Sequence, residues 1–164
     1  MRRAFQARRA AYEAAGRTLV WIDESGFARD MPRRFGYAPV GQRCHGRWDW
    51  HAKGRTNVIG ALWGSQLIAV GLFESSVNAE VFLAWTHYVL LPQLPPATMI
   101  VLDNAAFYKR QDIQNTLRQA GHTRGYLPPY SPDLNPIEHQ WAQAKALRKQ
   151  SHCSVDELFR SNQI

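Results

Sequence analysis

Cysteine is scarce in this 164-residue chain: only Cys44 and Cys153 occur, each beside a histidine, as Cys44-His45 and His152-Cys153. Adjacent side chains do not readily face one tetrahedral ion, and the spaced ligand pairs of structural zinc sites are missing, so reduced thiols are expected rather than a zinc centre. Long apolar runs are lacking too. No stretch reaches membrane-spanning length, and the opening "MRRAFQARRAAYEAAGR" has no apolar segment of the kind a secretory signal needs, so a cytoplasmic protein without a membrane partner is expected. Internal repeats and low-complexity segments are absent, which sets aside solenoids and long disordered tails. Acidic residues are in deficit, 13 against 20 Lys and Arg, for a net charge of +7. That imbalance favours a polyanionic partner, because Lys and Arg gain affinity from phosphates by releasing condensed counterions.

What is present suffices for one globular domain: 45% of the residues are hydrophobic and the length allows a real core. Residues 1 to 16 read as a basic, Ala-rich lead-in helix stopped by Gly16. "TLVWID" (18 to 23) reads as a strand ending in Asp23, and residues 24 to 57, rich in Gly, Pro, Arg and aromatics, as a long excursion. "NVIGALWG" and "LIAVGLFE" predict an antiparallel pair turning through Gly64, Ser65 and Gln66. A helix is expected over 78 to 94 with Asn78 as its cap, then the strand "MIVLD", a helix over 109 to 121, a short strand at "TRGYLP" and a helix over 136 to 150. Ser154 and Glu157 are spaced as the capping box of a last short helix.

"LVWID" and "MIVLD" share one pattern, four apolar residues followed by an aspartate. As neighbouring parallel strands they would bring Asp23 and Asp103 to one sheet edge, where α/β proteins place ligands. Two aspartates so close repel unless a cation neutralises them. Oxygen-only ligands at an accessible edge suit Mg²⁺ or Mn²⁺ rather than zinc, and Ca²⁺ also fits the ligand type. Glu138, in "SPDLNPIEHQW", is a third candidate carboxylate. On its own motif it reads more simply as the capping-box partner of Asn135.

"WIDESGF", "VLDNAAFYK" and "YSPDLNPIEHQWAQAK" together resemble the DDE transposases of the mariner-like superfamily, in particular its bacterial insertion-sequence branch. They occur in the expected order, 34 residues separate Asp103 from Glu138, and "RFGYAPVGQR" is similar to the segment after the family's first strand. The likeness runs over residues 18 to 150. It implies an α/β fold of RNase H-like type, a mixed five-stranded sheet flanked by helices. It also implies Asp23, Asp103 and Glu138 as the catalytic, metal-binding carboxylates and Asn104 as an orienting neighbour. Two Mg²⁺ or Mn²⁺ ions per site would assist phosphoryl transfer on DNA, transposon ends and target alike. Residues 31 to 55 would form a clamp-like insertion within a catalytic domain spanning 18 to 164. There Arg33, Arg34, Arg43 and Arg47 are expected on phosphates, with Lys145 and Arg148 of the final long helix as the other DNA path.

Family members carry helix-turn-helix units ahead of this domain, whereas about seventeen residues precede the first strand here. A truncated copy or the second product of a split reading frame is therefore expected. Such a chain would work as a homodimer, with a separately encoded helix-turn-helix protein as a further partner. Two other functions fit the residues: another RNase H-like DNA endonuclease, and a non-catalytic DNA-binding or dimerisation fragment of a transposase. Metal-dependent nicking separates the last from the first two, and strand joining separates those from each other.

Overall fold

A computed structural model describes residues 1–28 and 54–160, the side chains of 106 and 107 excepted. Helix α1 (Arg2–Ala14) leads into strand β1 (Leu19–Ala28), followed by β2 (Arg55–Trp63) and β3 (Gln66–Phe73). Helix α2 (Ala79–Trp85), strand β4 (Met99–Leu102), helix α3 (Gln111–Gln119) and strand β5 (Thr123–Tyr126) come next. Helices α4 (Ile137–Ser151) and α5 (Val155–Arg160) complete the described chain. The strands form one five-stranded sheet in the order β3-β2-β1-β4-β5. It is mixed, with β1 antiparallel to β2 and parallel to β4, and β4 parallel to β5.

Alternation along each strand sends side chains to two cores. Val20 and Ile22 of β1 and Ile100 and Leu102 of β4 pack with Phe82, Trp85, Ile113 and Leu117, under α2 and α3. Trp21, Phe27 and Val101 pack on the opposite face with Phe5, Ile137, Trp141 and Leu158, under α1, α4 and α5. The sheet is therefore covered on both faces, which is why its central strands read as unbroken apolar runs.

Four local expectations are corrected. Strand β1 runs on past Asp23 to Ala28, because β2 keeps pairing with it as far as Ala28 with Arg55. Ladder pairing thus overrides the weak strand propensity of "ESG". The helix expected over 78 to 94 starts at the expected cap, Asn78 Oδ1 accepting from the Val81 N–H at 2.9 Å. It then widens to a π turn at Thr86–Leu90 and tightens to a 3₁₀ turn at Leu91–Gln93. Pro92 explains the change of pitch, since it has no N–H to donate and its ring crowds the preceding turn. The residues before α3 form a separate 3₁₀ turn, Ala106–Lys109, rather than its first turn. Finally, the β2–β3 turn needs only Gly64 and Ser65, with Trp63 already paired to Gln66 and Gly64 at φ +63°.

At edge strand β3, Ala69 has the left-handed φ of 55°. Its N–H donates to Gln93 Oε1 at 3.2 Å, and its carbonyl accepts the Trp85 indole N–H at 2.7 Å.

Candidate active site

The parallel ladder between β1 and β4 pairs Leu19 with Met99 and Trp21 with Val101, then stops. Two residues further on in each strand come Asp23 and Asp103, on the face that carries Trp21 and Val101 and looks toward α4. β1 continues beyond this point and β4 does not, so Asp23 is 8% exposed within the sheet while Asp103 stands exposed in the following loop. The Asp103 carboxylate accepts the Asn104 backbone N–H.

Helix α4 supplies the third carboxylate. Trp141 is buried against the sheet, and its ring lies over Gly60, the β2 residue paired with Asp23. A Cβ at Gly60 would stand 2.8 Å from that ring, so the glycine lets α4 approach closely. Glu138, one turn ahead of Trp141, comes up beside Asp23 at the same pocket, close enough to perturb its carboxyl. The Asn135–Glu138 capping box is therefore not formed in the expected sense. Asn135 Oδ1 instead accepts from the Ile137 N–H at 3.4 Å, while the Ser154–Glu157 box at α5 closes in both directions.

The electrostatic consequence falls on Asp23. Burial pushes the Asp23 carboxyl up to about 8, and the hydrogen bond and charge of Glu138 add to the rise, with Asp103 a smaller contribution. Glu24, on the other face of β1, is raised by burial and then by the Asp103 charge. The buried Tyr108 phenol is raised by burial first, then by Glu24, Asp23 and Asp103. Four carboxyl groups thus crowd the ends of two strands.

The carboxylates border an open pocket of about 230 Å³ whose other wall is the β5–α4 loop, including Leu127, Tyr130, Ser131 and Asn135. Ser131 and Asn135 are buried polar residues, and the Ser131 hydroxyl donates to the Pro129 carbonyl at 3.2 Å. Arg2 of α1 reaches the same loop, donating to Ser131 Oγ at 3.4 Å and to both carboxylate oxygens of Asp133.

Of the residues expected to act, Asp23, Asp103 and Glu138 share this pocket. Asn104 reaches Asp103 through its backbone N–H rather than through its amide side chain. Among the described residues no three His, Cys, Asp or Glu side chains are gathered in a metal-holding arrangement. Lys145 is exposed, with its ammonium 5.3 Å from the centre of the Phe27 ring. Arg148 turns out to be a core residue, 4% exposed, with its guanidinium donating to the carbonyls of Ala28 and Cys153. It joins the end of β1 to the end of α4. Arg33, Arg34, Arg43 and Arg47, the clamp-like insertion and the Cys44-His45 pair lie outside the described residues. Cys153 is a free thiol, and no helix among the described residues is long and apolar enough to cross a membrane.

Sequence reading missed Glu24, Tyr130 and Ser131. Tyr130 and Ser131 lie inside the quoted "YSPDLNP", but nothing in periodicity or charge distinguishes pocket-lining residues from ordinary turn residues.

Comparison with known proteins sets this geometry in context. The family model of the DDE superfamily endonucleases matches residues 18–158. A structural search finds the strand transfer complex of Mos1, with 21% identity over 88% of this chain and 45% of that one at a TM-score of 0.64. It also finds the mariner Mos1 paired-end complex with Mg, at 21%, 89%, 47% and 0.64 respectively. The Mos1 transposase catalytic domain with Raltegravir and Mn gives 19%, 92%, 72% and 0.63. The chain spans about half the length of the first two, and the shared architecture is the RNase H-like one. No curated protein matches the chain.

Proposed function

The chain belongs to the DDE superfamily endonucleases, and from that premise we propose that it is the catalytic part of a transposase, cutting DNA strands and joining them to target DNA. The observation that carries this reading is the convergence of Asp23, Asp103 and Glu138, drawn from β1, the β4 loop and α4, on one open pocket. A carboxyl buried beside two others is an expensive arrangement for a purely structural purpose.

Asp23, Asp103 and Glu138 are the residues that would hold divalent cations, two Mg²⁺ or Mn²⁺ per site. All-oxygen donors suit those ions, and the upward push on the Asp23 carboxyl, from burial and then from Glu138, marks where positive charge would be favoured. When bound, such ions activate a water or a 3′-hydroxyl and stabilise the departing oxygen. The protein's own part is to orient. Gly60 and Trp141 seat α4, the Asn104 N–H holds Asp103, and the Arg2-tethered loop shapes the wall against which a phosphodiester would lie. No serine, tyrosine or cysteine nucleophile is required.

The finer reading extends to partners. DNA is held through its backbone, the active form is a homodimer, and a separately encoded helix-turn-helix protein supplies recognition of the transposon ends. The setting is the cytoplasm. The net charge of +7 and the exposed Lys145 support the DNA contact.

Incubating the purified chain with supercoiled DNA and Mg²⁺ or Mn²⁺ tests the proposal. Nicking that vanishes in Asp23→Asn, together with joining of a precut 3′ end to target DNA, is the expected result. Nicking without joining would indicate another endonuclease, and DNA binding without either a regulatory fragment. Mn²⁺ affinity measured by calorimetry gives a second readout and should fall in Glu138→Gln.

A further inference from the structure

Tyr130 is fully exposed, the most exposed large hydrophobic residue of the described chain, and it stands at the wall of the carboxylate pocket. Its backbone is also unfavourable, with φ at 54°, a region that bulky side chains rarely enter. The backbone costs stability, and the exposed ring gains none from burial. Strain of this kind persists only where the surroundings impose it, and it gathers at working sites.

The surroundings do impose it here. Pro128 and Pro129 precede the residue, Ser131 ties back to the Pro129 carbonyl, and Arg2 holds Ser131 and Asp133 from α1. The ring is therefore presented outward from a stiff loop at the pocket's lip. Alongside runs an open groove that shares Leu127 and Pro128 with the pocket and has Arg8 and Lys109 among its lining. A stiff exposed ring beside a largely apolar groove that carries Arg8 and Lys109, continuous with the carboxylate pocket, matches an unpaired nucleotide.

We propose that Tyr130 is a base-stacking residue, its ring taking the face of an unpaired nucleobase next to the phosphodiester on which the Asp23, Asp103 and Glu138 pocket would act. The inference rests on the DNA-cutting reading and adds to it a positioning role: the stacked base fixes which phosphate enters the pocket. Any base offers a π face, so the contact selects unpaired structure over sequence.

The test uses a forked DNA duplex with 2-aminopurine as the first unpaired base, titrated with the full chain and its variants. Wild type and Tyr130→Phe should quench the probe equally, whereas Tyr130→Ala should bind roughly tenfold more weakly and leave it bright. Tyr130→Gly removes ring and strain together, so it should lose the quench while melting no lower than wild type. Full quenching by Tyr130→Ala would overturn the proposal. So would a Tyr130→Gly variant that melts well below wild type, or a Tyr130→Ala variant whose only defect is loss of a dimer on sedimentation. A wild type that quenches but never nicks would instead refute the nuclease reading and leave the stacking in place; nicking without quenching would do the reverse.

Discussion

The segments around Asp23 and Asp103 are written almost alike and end up unlike. Both are apolar strands of the same sheet, adjacent and parallel, and both place an aspartate two residues beyond the shared ladder. Asp23 is enclosed because β2 goes on pairing with β1 and α4 leans over it through Trp141 and Glu138. Asp103 is exposed because β4 simply ends. The same residue type thus acquires two characters, one buried with its carboxyl pushed up and one presented to solvent.

Several experiments would break or sharpen this contrast. The largest effect is expected where the two aspartates should behave alike: Asp23→Asn, Asp103→Asn and Glu138→Gln should each slow metal-dependent nicking by about a hundredfold or more, roughly 3 kcal/mol of barrier. Near-wild-type rates in any one would remove that residue from the site. Glu138→Gln should leave the melting temperature nearly unchanged, since the capping role is not exercised.

Where the two should differ is pH. The folded state holds the Asp23 proton up to about 8, whereas the unfolded chain releases it near 3.9. The folded state therefore binds more protons between those values, and the metal-free protein should lose stability as pH rises across that window, by up to ~1.4 kcal/mol per unit. Asp23→Asn should flatten this slope and melt higher than wild type at pH 8, while Asp103→Asn should leave the slope in place. Thermal melts from pH 5 to 8 decide between them; parallel curves for wild type and Asp23→Asn would refute the upward shift of the Asp23 carboxyl.

A third variant attacks the enclosure itself. Gly60→Ala drives a methyl into the Trp141 ring and should cost about 1–3 kcal/mol in urea unfolding, with a drop in nicking because Glu138 moves with α4. The smallest effect belongs to Arg2→Ala, whose exposed contacts with Ser131 and Asp133 should shift the melting temperature by no more than ~2 °C. Its nicking rate should fall several-fold because the pocket wall loosens; an unchanged rate would make the tether ornamental.

Much of this architecture is legible in the amino-acid sequence. The order of strands and helices, the Gly64-Ser65 turn, the Asn78 cap and the Ser154–Glu157 box all follow local rules that operate within a few residues. The three carboxylates stand out through motif resemblance, since nothing in the Asn135–Glu138 pattern distinguishes a ligand from a cap. What stays hidden depends on partners distant along the chain. The extension of β1 to Ala28 is dictated by Arg55 and its neighbours, and the inward turn of Arg148 by carbonyls at Ala28 and Cys153. The exposure of Tyr130 follows from the path of a loop, not from its composition.

The kink at Ala69 has a consequence for how molecules of this protein meet. An exposed edge strand invites a neighbour's strand to dock along its free backbone groups, the route to both strand exchange and fibrils. At Ala69 those groups are already taken by Gln93 and Trp85, and the left-handed turn interrupts the extended line. A neighbour's strand laid along β3 would therefore lose its ladder at Ala69, which works against edge-to-edge stacking on this side of the sheet.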